Sequence, residues 1–202
     1  MKSSEQRLDF CLQPVGEVSQ AFQFLGVQTF QEASCYLQTL PYGRNADRVD
    51  ARSVLREGKG TCSTKHALLA MLAEENNIPV RLMVGIYLMN KANTPDVGEV
   101  LKRYGFAVFG FHASDWSNGW DHLSFLAEKE ITPEGIGEEK IRFHQDYLKH
   151  WVTSSGVPIK DWRKVWEIRE ACIAALTHNR NEPPPYHQAR GRCSEQINLT
   201  TA

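Results

Sequence analysis

The segment GKGTCSTKHALLAML, residues 58–72, decides the fold because it places a cysteine at the start of an apolar helix. Apolar side chains recur after the cysteine at three- and four-residue intervals, which predicts a helix with one buried face. They are Ala67, Leu68, Met71 and Leu72. The glycines at 58 and 60 favour an irregular approach to the helix, so Cys62 falls in its first turn.

A cysteine in the first turn of a helix has a physical reason to be reactive. The positive end of the helix dipole and the free backbone N–H groups stabilise a thiolate, and the same groups can bind an oxyanion that develops on an acyl substrate. We expect Lys65 to add positive charge near Cys62. The competing interpretation is a small buried cysteine that only packs in a core helix.

Other parts of the chain show weaker patterns. A capping-box spacing that begins at Thr29 predicts a helix over about 30–40, and the β-branched run 78–87 predicts a buried strand. Apolar stripes at helical spacing predict two amphipathic helices, one around 141–151 and one over 162–176. Residues 1–27 have no sustained period, so the sequence predicts no element there.

Composition limits the class of protein. The chain has 202 residues, 23 Lys plus Arg against 24 Asp plus Glu, and 42% hydrophobic residues. This balance favours one globular domain, which we place at 1–178, and it gives no charge excess that would attract nucleic acid or a membrane. The proline-rich, polar segment 179–202 is typical of a disordered tail.

The N-terminus and the cysteines indicate the compartment. Glu5 and Asp9 interrupt the apolar segment that a signal peptide needs, so we expect a cytoplasmic protein without a membrane-spanning helix. The five cysteines are scattered and contain no CxxC pair, which argues against a disulfide framework. We therefore expect free thiols.

The motifs around Cys62 resemble the transglutaminase-like superfamily. The resemblance covers residues 58–87 and consists of GTC at 60–62, which opens the helix, then IPVR at 78–81 and VGIY at 84–87. It implies an α+β fold with a papain-like core. In this core the helix that carries the nucleophile packs on a small antiparallel sheet, and further helices lie at the periphery. The resemblance makes Cys62 the nucleophile.

The resemblance also implies a histidine and an aspartate on the next two strands. His112 follows the apolar segment 106–111, which suits a histidine at a strand start, so we assign it as the base. Asp121 lies far enough beyond His112 for a hairpin around Asn118-Gly119, and it is our first choice for the orienting carboxylate. Asp115 is the second choice, and the short 112–121 region leaves open that neither serves.

Three functions are compatible with these residues. The first is thiol-dependent acyl transfer on a peptide, protein or small amide substrate, by hydrolysis or by transfer to an amine, through a Cys62 thioester. The second is a catalytically degraded fold that binds a peptide or partner. The third is a metal-dependent hydrolase or metal-binding domain, although the ligand types present have no recognised zinc spacing. Those ligand types belong to Cys62, His66, His112, Asp115 and His122. No cofactor is implied.

Overall fold

The computed structural model describes residues 8–87, 98–104, 125–155 and 159–178. The described elements are seven helices and two strands, with one 3-10 turn between β2 and α6. In chain order they are α1 (Glu17–Phe24), α2 (Phe30–Thr39), α3 (Ser53–Glu57), α4 (Cys62–Glu75), β1 (Leu82–Tyr87), α5 (Gly98–Arg103), β2 (Phe125–Ile131), the 3-10 turn (Glu134–Ile136), α6 (Glu138–Ser154) and α7 (Trp162–His178).

The two described strands form an antiparallel sheet. Leu82 pairs with Ile131 and Gly85 with Glu128, and the register shifts between Ile86 and Tyr87. Helix α4 contacts β1, so the described residues have an α+β fold with the cysteine-bearing helix beside a small antiparallel sheet.

Helix α4 lies at the centre of the first apolar cluster. It packs against α1, α2, α3 and the 3-10 turn as well as β1. Phe22, Phe30, Leu68 and Leu72 are fully buried there. Most of the α4 surface is apolar, and this allows neighbouring elements to cover the helix on several sides.

A second apolar cluster joins the C-terminal helices to the sheet and to α5. Leu148 from α6 and Ile168 from α7 are fully buried in it, together with Ile86 from β1. The Phe143 side chain packs against both clusters. The helix pair α6–α7 is thereby attached to the same body that carries α4.

Most of the predicted elements are confirmed. Helix α2 begins at Phe30, where the Thr29 side chain accepts a hydrogen bond from the Glu32 backbone, as its capping spacing predicted. The helix that begins at Cys62, the strand β1 and the two C-terminal helices are confirmed as well. The strand predicted at 106–111 and the tail 179–202 lie outside the described residues.

Helix α1 and strand β2 were not predicted. The N-terminus of α1 is closed by a distant carboxylate, since Glu75 accepts hydrogen bonds from the backbone N–H of Val18 at 2.9 Å and of Ser19 at 2.7 Å. A cap from the far end of α4 leaves no local sequence signal. No helix in the described part of the chain is long and apolar enough to cross a membrane.

Candidate active site

Cys62 is the first residue of α4, and polar groups fix the chain around it. The Thr61 and Thr64 side chains form a reciprocal capping box with each other's backbone N–H groups. The Thr64 hydroxyl also donates to the Asn45 side-chain oxygen at 3.1 Å, and the Asn45 amide donates to the Lys59 carbonyl at 3.0 Å. These buried hydrogen bonds hold the start of the helix, and with it the thiol, in one position.

Gly60 brings Tyr42 beside the thiol. The Gly60 N–H donates to the Pro41 carbonyl and the Gly43 N–H donates to the Gly60 carbonyl, each at 3.2 Å. A Cβ at position 60 would lie 2.8 Å from the Val54 side chain, so only glycine allows this close approach. The glycine-containing segment before α4 therefore pairs with the backbone around Tyr42, and this pairing places Tyr42 at the site.

The Tyr42 hydroxyl lies beside the Cys62 sulfur. Burial is the main reason that the pKa of Tyr42 is raised well above its usual value, and the charge of the Cys62 sulfur raises it further. The phenol therefore stays protonated and can act as a hydrogen-bond donor to a thiolate.

Cys62 opens into a cavity of about 390 Å³ that lies between α4 and the C-terminal helices. The thiol-bearing residue is 9% exposed, so the sulfur is reached through this cavity and not from an open surface. Helix α6 contributes Lys140 and His144 to the wall, and α7 contributes Arg169 and Glu170.

Lys140 is the cation on the α6 side. Its ammonium donates a hydrogen bond to the Ser63 hydroxyl, next to the thiol. Burial and the like charge of Arg169 lower the pKa of Lys140 to about 8, while the Cys62 sulfur opposes that shift. At neutral pH most of the Lys140 side chains are protonated, so the cavity has a positive charge beside Cys62.

Arg169 and Arg44 form the other cationic wall, and Glu170 lies between them. Glu170 accepts from Arg44 at 2.5 Å and from Arg169 at 2.6 Å. The Arg169 guanidinium also lies 4.7 Å above the Trp166 ring, and the residue is 8% exposed. Burial lowers the pKa of Arg169, and the neighbouring Glu170 carboxylate opposes this effect.

The Lys65 ammonium is bound to the backbone at the end of α2. Its side chain is 6% exposed, and its ammonium donates to the Leu40 carbonyl at 2.6 Å. A cation in the cavity that holds Cys62 comes from Lys140, which is distant in sequence. Lys65 serves to tie α4 to the end of α2.

His66 lies in the first turns of α4, and His144 lies in the cavity wall. The His66 Nδ1 is 2.7 Å from the Cys62 carbonyl, and the His144 Nδ1 is 2.8 Å from the Lys140 carbonyl. In each case one ring nitrogen is bound to the backbone of the preceding helical turn. The His144 side chain is buried, and its ring contacts the Phe143 ring.

The rest of the predicted triad cannot be placed. His112, Asp121 and the alternative Asp115 all lie outside the described residues, as does His122. Within the described ranges, no group of three or more His, Cys, Asp or Glu side chains is placed to hold a metal ion.

The described cysteines differ in state. Cys11 is exposed and free, while Cys62 and Cys172 are buried and free. Cys35 is disulfide-bonded, so the expectation of free thiols is wrong at that position. Burial raises the pKa of the Cys172 thiol to about 11, which makes it unreactive at neutral pH.

Sequence reasoning predicted that Cys62 begins a helix, which the structure confirms, but it missed most of the residues around this cysteine. Tyr42, Lys140 and Arg169 carry no motif, and only the fold brings them together around Cys62. The capping box of Thr61 and Thr64 was the one accessible signal, since the pattern S/T-x-x-S/T at a helix start can be read locally.

The comparisons with known proteins agree with the resemblance. Residues 27–125 match the family model of the transglutaminase-like superfamily, from before α2 through Cys62 to the first residue of β2. Neither a curated protein nor a solved structure matches the chain. Helices α6 and α7 lie outside the matched segment. Residues 27–125, which carry Cys62, are thus similar to the transglutaminase-like superfamily.

Proposed function

We propose that this protein is a cysteine-dependent acyl-transfer enzyme that acts on a peptide, protein or small amide substrate. The observation that carries the proposal is the position of Cys62 at a capped helix N-terminus, in a cavity where Tyr42 and Lys140 face the sulfur. A hydrogen-bond donor and a positive charge both favour the thiolate over the thiol.

The proposed reaction has two steps. The Cys62 thiolate adds to the substrate carbonyl and forms a carbon–sulfur bond, the carbon–nitrogen bond breaks, and the amine leaves with a proton. Water or a second amine then attacks the thioester carbonyl, which releases the acid or a new amide and restores the thiol. The positive end of the α4 dipole, at Cys62, is suited to stabilise the oxyanion of each tetrahedral intermediate.

The residues that handle the proton are proposed from the resemblance. His112 is assigned to take and return the proton, and Asp121 to orient the imidazole, with Asp115 as the alternative. A papain-like core in which these residues lie on the strands after α4 belongs to the same proposal. The single domain over 1–178, the disordered tail 179–202 and the cytoplasmic location likewise stay predictions.

The test is the pH dependence of iodoacetamide alkylation at each cysteine, read by peptide mass spectrometry. We expect Cys62 to react with a midpoint at least about one pH unit below the ordinary thiol value of about 8.5. His112→Ala should move that midpoint upward because it removes the partner that forms an ion pair with the thiolate.

The chain supplies its own reference thiols for this measurement. Exposed Cys11 is the reference for an accessible thiol, and buried Cys172, whose pKa is raised, is the reference for an inaccessible one. Cys62→Ser removes the proposed nucleophile and should abolish turnover in a screen of amide and thioester substrates. If Cys62 is alkylated no faster than Cys11 at pH 6–7, the enzyme proposal fails and a peptide- or partner-binding module becomes the better explanation.

A further inference from the structure

The described wall of the cavity beside Cys62 holds more positive than negative charge. Among the described residues that line it, the cationic side chains are Arg44, Arg48, Lys140 and Arg169, and the only carboxylate is that of Glu170. A Cys62 thiolate compensates one further positive charge. The described wall therefore keeps an excess of two positive charges, which is costly in a partly enclosed site unless an anion binds there.

Arg169 has an unused donor in this wall. The side chain is more than nine-tenths buried, and its Nε has no hydrogen-bond partner among the described residues. Its terminal nitrogen already binds Glu170, which shows that the guanidinium accepts a carboxylate in this setting. A buried N–H without a partner costs free energy, and a ligand oxygen would satisfy it.

We propose that the cavity selects an acyl substrate that carries a carboxylate, and that Arg169, Lys140 and Arg44 bind this group. The inference rests on the proposed function, since it concerns the substrate of the same Cys62. A carboxylate fits the planar guanidinium fork in two-point geometry. Lys140 and Arg169 come from α6 and α7, outside the segment that matches the family, whereas Arg44 lies within it.

The experiment compares two reagents of nearly equal size, iodoacetate and iodoacetamide, at each cysteine of the intact protein at pH 7. In both reactions the thiolate forms a bond to carbon and iodide leaves. Because the same thiolate attacks both reagents, the ratio of their rates does not depend on how much thiolate is present. We expect the iodoacetate-to-iodoacetamide ratio to be about tenfold or more higher at Cys62 than at exposed Cys11.

Substitutions test which side chains supply the positive charge that attracts iodoacetate. Arg169→Gln and Arg44→Gln should each lower the Cys62 ratio severalfold, and Arg44 is half-exposed, so its replacement tests the proposal even if Arg169→Gln folds poorly. Arg163→Gln is the matched control, because Arg163 lies on the same helix with an exposed side chain outside the cavity. It should leave the ratio unchanged.

The outcomes separate this inference from the proposed function. Fast iodoacetamide alkylation of Cys62 with a ratio equal to that of Cys11 overturns the carboxylate proposal and leaves the enzyme proposal standing. A high ratio that survives Arg169→Gln, Arg44→Gln and Lys140→Met also overturns it, since the charge then comes from a group outside this set. Slow reaction of Cys62 with both reagents contradicts the proposed function itself.

Discussion

Two regions of the molecule meet at Cys62, and they are held together by different forces. The N-terminal layer, α1 to α4, is an apolar core whose polar groups are tied by side-chain to backbone hydrogen bonds. The C-terminal pair, α6 and α7, also has an apolar core, but it turns Lys140, Arg169 and Glu170 toward the cavity.

The difference indicates a division of roles. The N-terminal layer fixes where the thiol lies through caps and packing, and Arg44 and Arg48 are its charged side chains in the cavity wall. The C-terminal pair supplies the other two cations of the wall, Lys140 and Arg169. Changes in the apolar core of the first region should therefore act on stability and on the position of the thiol, and changes in the second region should act on charge selectivity, to which Arg44 also contributes.

The largest effect should come from truncating one buried leucine side chain in each region. Leu72 on α4 and Leu148 on α6 are both fully buried, so Leu72→Ala and Leu148→Ala should each lower the free energy of unfolding by about 2–5 kcal/mol, measured in urea. Only Leu148→Ala should also lower the iodoacetate-to-iodoacetamide ratio at Cys62, because it loosens the helix that carries Lys140. A fall in that ratio in Leu72→Ala alone would contradict the division of roles.

A smaller effect is expected from the carboxylate that closes α1. Besides its two backbone partners, Glu75 accepts a hydrogen bond from the Ser19 hydroxyl at 2.7 Å. Glu75→Gln removes the charge and one acceptor oxygen, and it should cost about 1–3 kcal/mol of unfolding free energy. Glu74→Gln is the matched control, since the adjacent side chain is exposed. An equal loss in both variants would mean that the cap contributes nothing specific.

The contacts of Glu75 show why one part of the fold could not be predicted from the sequence. The elements with their own periodicity or local cap, α2 and α4 above all, were predicted with nearly correct bounds. Helix α1 depends on Glu75, more than fifty residues away in the chain, and no local pattern encodes that contact. Strand β2 was missed because most of its side chains are exposed or half-exposed, so its sequence lacks a clear apolar alternation.

The residues of the site likewise divide into those that could be predicted from the sequence and those that could not. Cys62 could be predicted because its signal, a cysteine after glycines at the start of an apolar helix, is contained in one short segment. Lys140 and Arg169 lie on helices whose apolar stripes predict packing only, and nothing in those stripes tells which charged side chain points to the cavity. Tyr42 reaches the thiol through a backbone pairing with Gly60 that the sequence does not show.

The last prediction concerns the pH dependence of charge selectivity. The pKa of Lys140 is lowered to about 8 by burial and by Arg169, so its ammonium is present below that pH and lost above it. The iodoacetate-to-iodoacetamide ratio at Cys62 should therefore fall by roughly threefold or more between pH 7 and pH 9.5, as one positive charge disappears. Arginine stays charged over this range, and the raised pKa of Tyr42 keeps the phenol protonated.

Lys140→Met tests the assignment, because methionine keeps much of the volume of lysine and removes its charge. The variant should show the low ratio already at pH 7 and little change up to pH 9.5. Arg142→Gln, on the same helix with an exposed side chain, should retain the fall seen in the wild type. A wild-type ratio that is flat from pH 7 to 9.5 would mean that Lys140 does not act on the substrate position, and the selectivity would then belong to α7 and Arg44 alone.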